Sequence, residues 1–233
     1  FITLGCRVNQ YESDAMAELL REAGWEVTDD PSVSDLCIIN TCTVTNIADR
    51  KSRQMISKAH RLNENAKLIA CGCFTQRSPE KKKRLSGVDA VLGSADKNKI
   101  VEIAAALFEN EHGEAEVLVR DVMREREFEE LSATREGRTR AYLKIQDGCN
   151  MFCTYCAIPY ARGAIRSRRL ESVRNEAKKL NEEGYAEVVL TGIHLMSYGR
   201  DFGDGTDILD AVKCFDGLEN IKRIRFGSLE PHM

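Results

Sequence analysis

The sequence predicts an α/β protein: an N-terminal doubly wound parallel sheet followed by the first part of a (β/α) barrel. Three observations carry this. Short apolar runs of strand length alternate with stretches of helical period, the connections between them are short, and the alternation breaks once, over residues 110–138, before resuming at Ala141.

The elements follow in order. Phe1–Leu4 is a short strand signal ending at Gly5-Cys6. Over Ser13–Ala23 the residues Ala15, Met16, Leu19, Leu20 and Ala23 recur on one helical face, and Gly24 stops the helix. Leu36–Ile39 reads as a buried strand running into Asn40-Thr-Cys42. Asn46–Leu62 is a second amphipathic helix, with Ile47, Met55, Ile56, Ala59 and Leu62 as its apolar set. Lys67–Ala70 and Val88–Leu92 are further strands, the first ending near Gly72-Cys73, and Lys97–Glu109 is a helix. These elements place one domain at 1–109. Residues 110–138 are dense in Glu and Arg, including Glu125–Glu130 and Arg135–Arg138, and read as a charged linker with one strand at Val117–Val119. A second, incomplete domain spans 139–233, with strands at Tyr142–Gln146, Glu187–Thr191 and Ile221–Phe226 and helices at Glu171–Glu183 and Ile208–Phe215.

Composition narrows the class. The 233 residues are 42% hydrophobic and 30% charged, ordinary for a globular protein. The formal net charge is −3, and neither half is basic enough to announce nucleic-acid binding by charge alone. Lys81-Lys-Lys-Arg84 reads as solvated surface. No apolar run is long enough to span a membrane. Nine cysteines without a signal-peptide pattern point to a reducing, cytoplasmic setting and to metal ligation, not disulfides. The chain opens inside a strand signal without an initiator Met and closes just past another, so it reads as a piece of something longer.

The cysteines carry the chemistry. Cys149, Cys153 and Cys156 form Cys-x-x-x-Cys-x-x-Cys, a compact set of soft ligands. A structural zinc wants four ligands, and no Cys or His follows Cys156 before His194. Three thiolates suit a cubane iron–sulfur cluster with one iron open. Cys6, Cys42 and Cys73 share a different property: each lies just past the C-terminal end of an expected parallel strand, where such sheets bind ligands. Cys37 and Cys71 fall inside strands and Cys214 inside a helix, as small buried hydrophobes do.

Several ordered motifs together resemble the methylthiotransferase family of radical S-adenosylmethionine (SAM) enzymes. They are Thr3-Leu-Gly-Cys-Arg-Val-Asn-Gln-Tyr-Glu-Ser13, Asn40-Thr-Cys-Thr-Val44, Gly72-Cys-Phe-Thr-Gln76, the run Gly148–Gly163 with Arg166-Ser-Arg168, Leu190-Thr-Gly-Ile-His194 and Arg225–Pro231. The resemblance implies a flavodoxin-like first domain and a radical SAM partial barrel. It implies two [4Fe–4S] clusters, an auxiliary one on Cys6, Cys42 and Cys73 and a SAM-binding one on Cys149, Cys153 and Cys156. It implies SAM as cofactor, a tRNA substrate, and an external electron donor and sulfur source. The motif wording resembles most the branch that converts N6-threonylcarbamoyladenosine at position 37 of tRNA to its 2-methylthio form. Relatives act on isopentenyladenosine or on a ribosomal-protein aspartate. A reading from another class is a non-catalytic, metal-stabilised RNA-binding module.

Other residues have narrower expectations. Asn150, Met151 and Phe152 shield the cluster from water. Tyr155 is placed to contact SAM's adenine or to pack, and Thr191-Gly192 lets the cofactor approach the backbone. Arg162, Arg166 and Arg168 suit either SAM's carboxylate or tRNA phosphates, while Arg169 is solvated. Among His60, His112, His194 and His232 only His194 lies beside the expected cofactor face. No catalytic residue beyond the cluster ligands is singled out. An open half-barrel leaves strand edges unpaired, so the chain alone is expected to be poorly stable and inactive in turnover.

Overall fold

The computed structural model describes residues 1–77, 79–82, 85–109, 115–133, 139–227 and 229–230. His112, His232, Arg135–Arg138 and the Lys83-Arg84 end of the basic run lie outside them.

The first sheet is built from β1 (Ile2–Thr3), β2 (Leu36–Thr41), β3 (Lys67–Gly72), β4 (Ala90–Leu92) and β5 (Glu116–Leu118). Among the described residues these five strands pair in that order and all in parallel. Helices cover both faces, as a doubly wound sheet requires. On one face α1 (Arg7–Glu22) and α5 (Ile100–Glu109) enclose Met16, Leu20, Ile38, Ile69, Leu92 and Ala104. On the other, α2 (Asn46–Leu62) and the short α3 (Cys73–Gln76) pack Ile56, Ala59 and Phe74 onto Ile39, Leu68 and Val91. A four-residue α4 (Pro79–Lys82) follows. Helix α2 has the expected bounds, and Thr45 caps it by accepting from the Ala48 N–H at 3.1 Å.

Helix α1 starts six residues before the expected Ser13. Its first two turns bury Asn9, Glu12 and Ser13 beside Val8 and Tyr11, so polar residues interrupt the apolar set that marks the rest. The reason is position: α1 lies between the first sheet and the second half of the chain, and its Glu12 meets Lys144 of that half at 2.8 Å.

The second half opens with β6 (Arg140–Lys144) and β7 (Gln146–Asp147), then α6 (Ile158–Arg162), β8 (Arg166–Ser167), α7 (Leu170–Glu182), β9 (Glu187–Thr191), α8 (Ile208–Lys213) and β10 (Arg223–Phe226). Strands β6, β9 and β10 form a parallel sheet with β9 central. Their apolar residues and those of α7 and α8 form one core around Leu143, Val173, Leu180 and Leu190. No barrel closes among the described residues. The two-residue β7 and β8 pair antiparallel and frame the cysteine loop, an arrangement too short to leave a sequence period.

Residues 115–133, the described part of the charged stretch between the halves, form a packed strap. It contributes β5 to the first sheet, and Val122, Leu131 and Ala133 are buried. The Tyr11 hydroxyl donates to the Leu131 carbonyl, and the Glu129 carboxylate accepts from the Asn98 N–H at 3.0 Å. Among the described residues no helix is long and apolar enough to cross a membrane.

Candidate iron–sulfur and cofactor site

The C-terminal ends of β1, β2 and β3 bring three cysteines to one crevice. Cys6 stands at the N-cap of α1 and is exposed, Cys42 follows β2 and is buried, and Cys73 begins α3 and is buried. The turn before Cys6 presses on Cys42: a Cβ at Gly5 would come within 2.9 Å of the Cys42 sulfur. Asn9 ties the two strand ends together by donating to the Leu4 and Thr41 carbonyls at 2.8 and 2.9 Å. Its Oδ1 lies 3.8 Å from the Cys6 sulfur and accepts from Arg162 at 2.5 Å. Arg162 in turn donates through Nε to the Cys73 sulfur at 3.1 Å. One chain of contacts, Cys6–Asn9–Arg162–Cys73, therefore links residues far apart in sequence. Among the described residues no three His, Cys, Asp or Glu side chains converge closely enough to hold a single metal ion.

Gly72 sets the direction of Cys73. It has φ +98, and a Cβ there would lie 2.5 Å from Asn40 Oδ1 and 2.6 Å from the Thr41 carbonyl oxygen. Gly72→Ala is expected to lower stability by about 1–3 kcal/mol, from left-handed strain and the clash with backbone. A denaturant midpoint equal to that of the parent would show that β3 and α3 do not need this turn.

Behind the crevice lies a buried ionic network that the sequence did not announce. Glu12 faces Arg162 at 2.5 Å, Lys144 at 2.8 Å and Lys97 at 3.2 Å, and all four are fully buried. Asp147 faces Lys144 at 2.7 Å, Arg162 at 3.4 Å and Arg166 at 3.7 Å. Burial pushes the Glu12 carboxyl up, but Arg162, Lys144 and Lys97 outweigh it and hold it well below the usual carboxylate range. Burial likewise raises Asp147, and Lys144, Arg162 and Arg166 overcome it. Four cations thus surround two carboxylates, leaving surplus positive charge beside Cys73. Burial raises the Cys73 thiol, and Arg162 opposes that rise. The chemistry of these residues suits an anionic iron–sulfur cluster, a larger group than a single metal ion: soft sulfurs at three neighbouring strand ends, a cation donating to one of them, and a positive interior behind.

The second cysteine set lies on the loop after β7. Cys149 is buried, Cys156 half-buried and Cys153 exposed. The Cys149 N–H donates to the Gly163 carbonyl and the Cys156 N–H to that of Cys153, at 3.0 and 2.9 Å. Asn150 Oδ1 accepts from the Ile165 N–H at 3.1 Å, pinning the loop to the run before β8. Phe152 adopts φ +47, left-handed for a residue with a side chain. Its ring meets Tyr160 edge-on at 5.9 Å. Tyr155 is 90% exposed, so it does not pack. Burial pushes the Cys149 thiol up, and the neighbouring Cys156 and Cys153 add to the rise.

The arginines expected as ligand contacts are committed internally. Arg162 is fully buried in the network above. Arg166 is buried and donates to the Ala164 carbonyl at 3.0 Å, with Asp147 at 3.7 Å. Arg168 is buried against Glu130 at 2.9 Å and Glu176 at 3.5 Å. Arg169 is exposed, with its guanidinium 4.5 Å from the centre of the Phe202 ring. Thr191 is buried at the end of β9 with Gly192 after it. Gln146, not singled out from the sequence, fastens this turn to the cysteine loop: its Oε1 accepts from the Ile193 and His194 N–H groups and its Nε2 donates to the Asp147 and Gly148 carbonyls. The His194 ring is bonded to Ser197 at 2.7 Å.

Known proteins match this layout. Residues 1–93 match the model of the uncharacterized protein family UPF0004, and residues 143–231 that of the radical SAM superfamily. The chain is 43% identical over 99% of its length to threonylcarbamoyladenosine tRNA methylthiotransferase MtaB of Bacillus subtilis, covering 51% of that protein. It is 40% identical to MtaB of Aquifex aeolicus, covering 98% of this chain and 55% of that one. With tRNA-2-methylthio-N(6)-dimethylallyladenosine synthase of Acetivibrio thermocellus the identity is 33%, covering 98% and 48%. The chain thus spans about half the length of the curated relatives it matches. Among solved structures, the radical SAM methyltransferase TsrM of Kitasatospora setae shares the fold, with a TM-score of 0.58 at 18% identity, covering 88% of this chain and 47% of that one. The two halves of the chain thus match the UPF0004 and radical SAM superfamily models in that order, and the chain is similar along nearly its whole length to proteins named as tRNA methylthiotransferases.

Proposed function

We propose that this chain is the cluster-bearing part of a methylthiotransferase that adds a methylthio group to C2 of N6-threonylcarbamoyladenosine at position 37 of tRNA, in the cytoplasm. One observation carries the reading most. Two separate three-cysteine sets stand in one molecule, the first at the ends of β1, β2 and β3 and the second on the loop after β7, with Arg162 and Asp147 spanning the ground between them. In this reading Cys6, Cys42 and Cys73 hold an auxiliary [4Fe–4S] cluster, and Cys149, Cys153 and Cys156 hold the one that binds SAM. Held by these cysteines, a reduced cluster and SAM would supply radical chemistry for an unactivated C–H bond, which no side-chain base here can deprotonate. The protein's own contribution is placement. Tyr155 offers an exposed ring to the adenine, Thr191 and Gly192 let the cofactor lie close to backbone, and Arg162 with Asn9 fixes the spacing of the sulfur-bearing mouth. Arg166 and Arg168, tied to internal carboxylates, act by shaping the cysteine loop's flank and not by reaching for phosphates. An electron donor and a sulfur source complete the reaction.

The identities of 43% and 40% to the threonylcarbamoyl enzymes, against 33% to the dimethylallyl enzyme, favour the first nucleoside. The two-cluster claim is tested by iron and acid-labile sulfide after anaerobic reconstitution. The parent is expected to hold about eight irons and a Cys6→Ala/Cys42→Ala/Cys73→Ala variant about four. Four in both would leave a radical SAM protein with no auxiliary cluster, and the sulfur-insertion reading would go.

A further inference from the structure

Helix α2 carries Arg50, Lys51, Arg53, Lys58 and Arg61 against one carboxylate, Asp49. The chain as a whole is net acidic, so this is a local reversal. The other long helices mix signs: α1 includes Glu12, Asp14, Glu18 and Glu22, and α7 includes Glu171, Glu176 and Glu182. The cations are also arranged. Ser52, Ile56 and Ala59 face the sheet, while Arg50, Lys51, Lys58 and Arg61 are all exposed on the opposite side. Asp49 is turned away and accepts from the Thr43 hydroxyl. Among the described residues none of these four cations has an ion pair or side-chain hydrogen bond. Two like-charged pairs, Arg50/Arg53 and Lys58/Arg61, stand three apart, a spacing that costs a few tenths of a kcal/mol each.

Placement gives the face its meaning. The helix begins four residues after Cys42, and Ser52 both donates to the Cys42 carbonyl and accepts from its N–H, at 2.9 and 3.2 Å. From Arg50 to Arg61 the cations extend about 17 Å at about 1.5 Å per residue, a length that follows a few successive phosphates. Val44 and Ile47, 52% and 68% exposed, add apolar surface between the cations and the cysteine mouth.

We infer that the outer face of α2 is a docking surface for the phosphodiester backbone of the RNA substrate, holding it so that a neighbouring base reaches the Cys6–Cys42–Cys73 mouth. This deepens the RNA reading above and rests on it. Phosphate is the occupant because the face offers unpaired cations in a row with no carboxylate to receive a protein's basic groups, and such contacts position a nucleic acid without reading its sequence.

The test is binding of unmodified tRNA to the reconstituted protein over a range of salt. In the variant Lys51→Gln/Lys58→Gln/Arg61→Gln, affinity is expected to fall about tenfold or more at physiological salt, and the slope of log K against log salt to flatten by about two to three, near one per lost phosphate contact. Iron content should stay at the parental value, because none of the three touches a cysteine. A control variant, Arg124→Gln/Lys213→Gln/Lys222→Gln, removes the same charge from other exposed positions and is expected to leave both quantities near parental. Parental affinity in the α2 variant, or equal loss in the control, overturns the docking surface alone. No binding by the parent overturns it together with the RNA-substrate reading.

Discussion

Replacing Arg162 with Met is expected to lower the stability of the folded protein by about 3–5 kcal/mol, the usual penalty for removing one partner from a buried charge network. The guanidinium is fully buried and serves Glu12, Asn9, Asp147 and the Cys73 sulfur at once. Met keeps the unbranched apolar stem but ends short of the guanidinium, and it leaves each of those groups short of a partner in a place water does not reach. Lys97 and Lys144 still face Glu12, which keeps the loss from being larger. Arg162→Lys should recover only part of it, since a point charge cannot bridge four partners spread around a planar fork. The denaturant midpoint, read with an unchanged slope, reports the effect, and a loss under about 1 kcal/mol would show that the network rearranges freely.

The same network fixes a pH signature. Glu12 is held well below its ordinary pKa in the folded state. Its contribution is complete above the unfolded value of about 4.3 and is lost as pH falls through the depressed folded value. The parent should therefore lose stability below about pH 4, and Arg162→Met should lose less over that range because the strongest cause of the depression is gone.

How far the sequence revealed this site depends on the kind of residue. Strands β2, β3 and β9 and helices α2 and α7 were legible because each buries an apolar set with a clean period. The cysteines stood out because their residue type is chemically narrow, and the placement of Cys6, Cys42 and Cys73 at parallel-strand ends followed from the strand pattern. Glu12, Lys97, Lys144 and Asp147 were not, since single charged residues carry no periodic signal and their meeting depends on how two sheets sandwich α1. The first turns of α1 were hidden for the same reason: Asn9, Glu12 and Ser13 are buried as polar groups, which a hydrophobic count reads as loop. Arg162, Arg166 and Arg168 looked like ligand contacts because arginine suits anions, and the structure supplies internal anions for all three. The charged strap hid its burial too, because Val122, Leu131 and Ala133 are spread among Glu and Arg.

Gln146→Leu is expected to be the second costly change, and it separates stability from cofactor binding. Gln146 is fully buried, with two backbone N–H groups 2.9 and 2.7 Å from its oxygen and two carbonyl oxygens 2.7 Å from its nitrogen. Leucine fills the space and satisfies none of them. An unpaired buried polar group costs about 1–3 kcal/mol, so even with partial relaxation the loss should reach about 3 kcal/mol. The four groups belong to two segments, the turn after β9 and the entry to the cysteine loop, and no other side chain among the described residues bonds to both. When they part, Gly192 and Cys149 lose their fixed relation. If SAM lies between them as proposed, its affinity should weaken by about tenfold, equivalent to about 1.4 kcal/mol. Equilibrium dialysis with the reconstituted variant reads that change, and iron per chain checks that the clusters are still loaded. Gln146→Glu keeps the acceptor for Ile193 and His194 but gives up both donated bonds, so it should fall between parent and Leu in stability. A leucine variant that loses stability yet binds SAM as the parent does would place the cofactor elsewhere on the loop, and would leave Gln146 a purely structural tie.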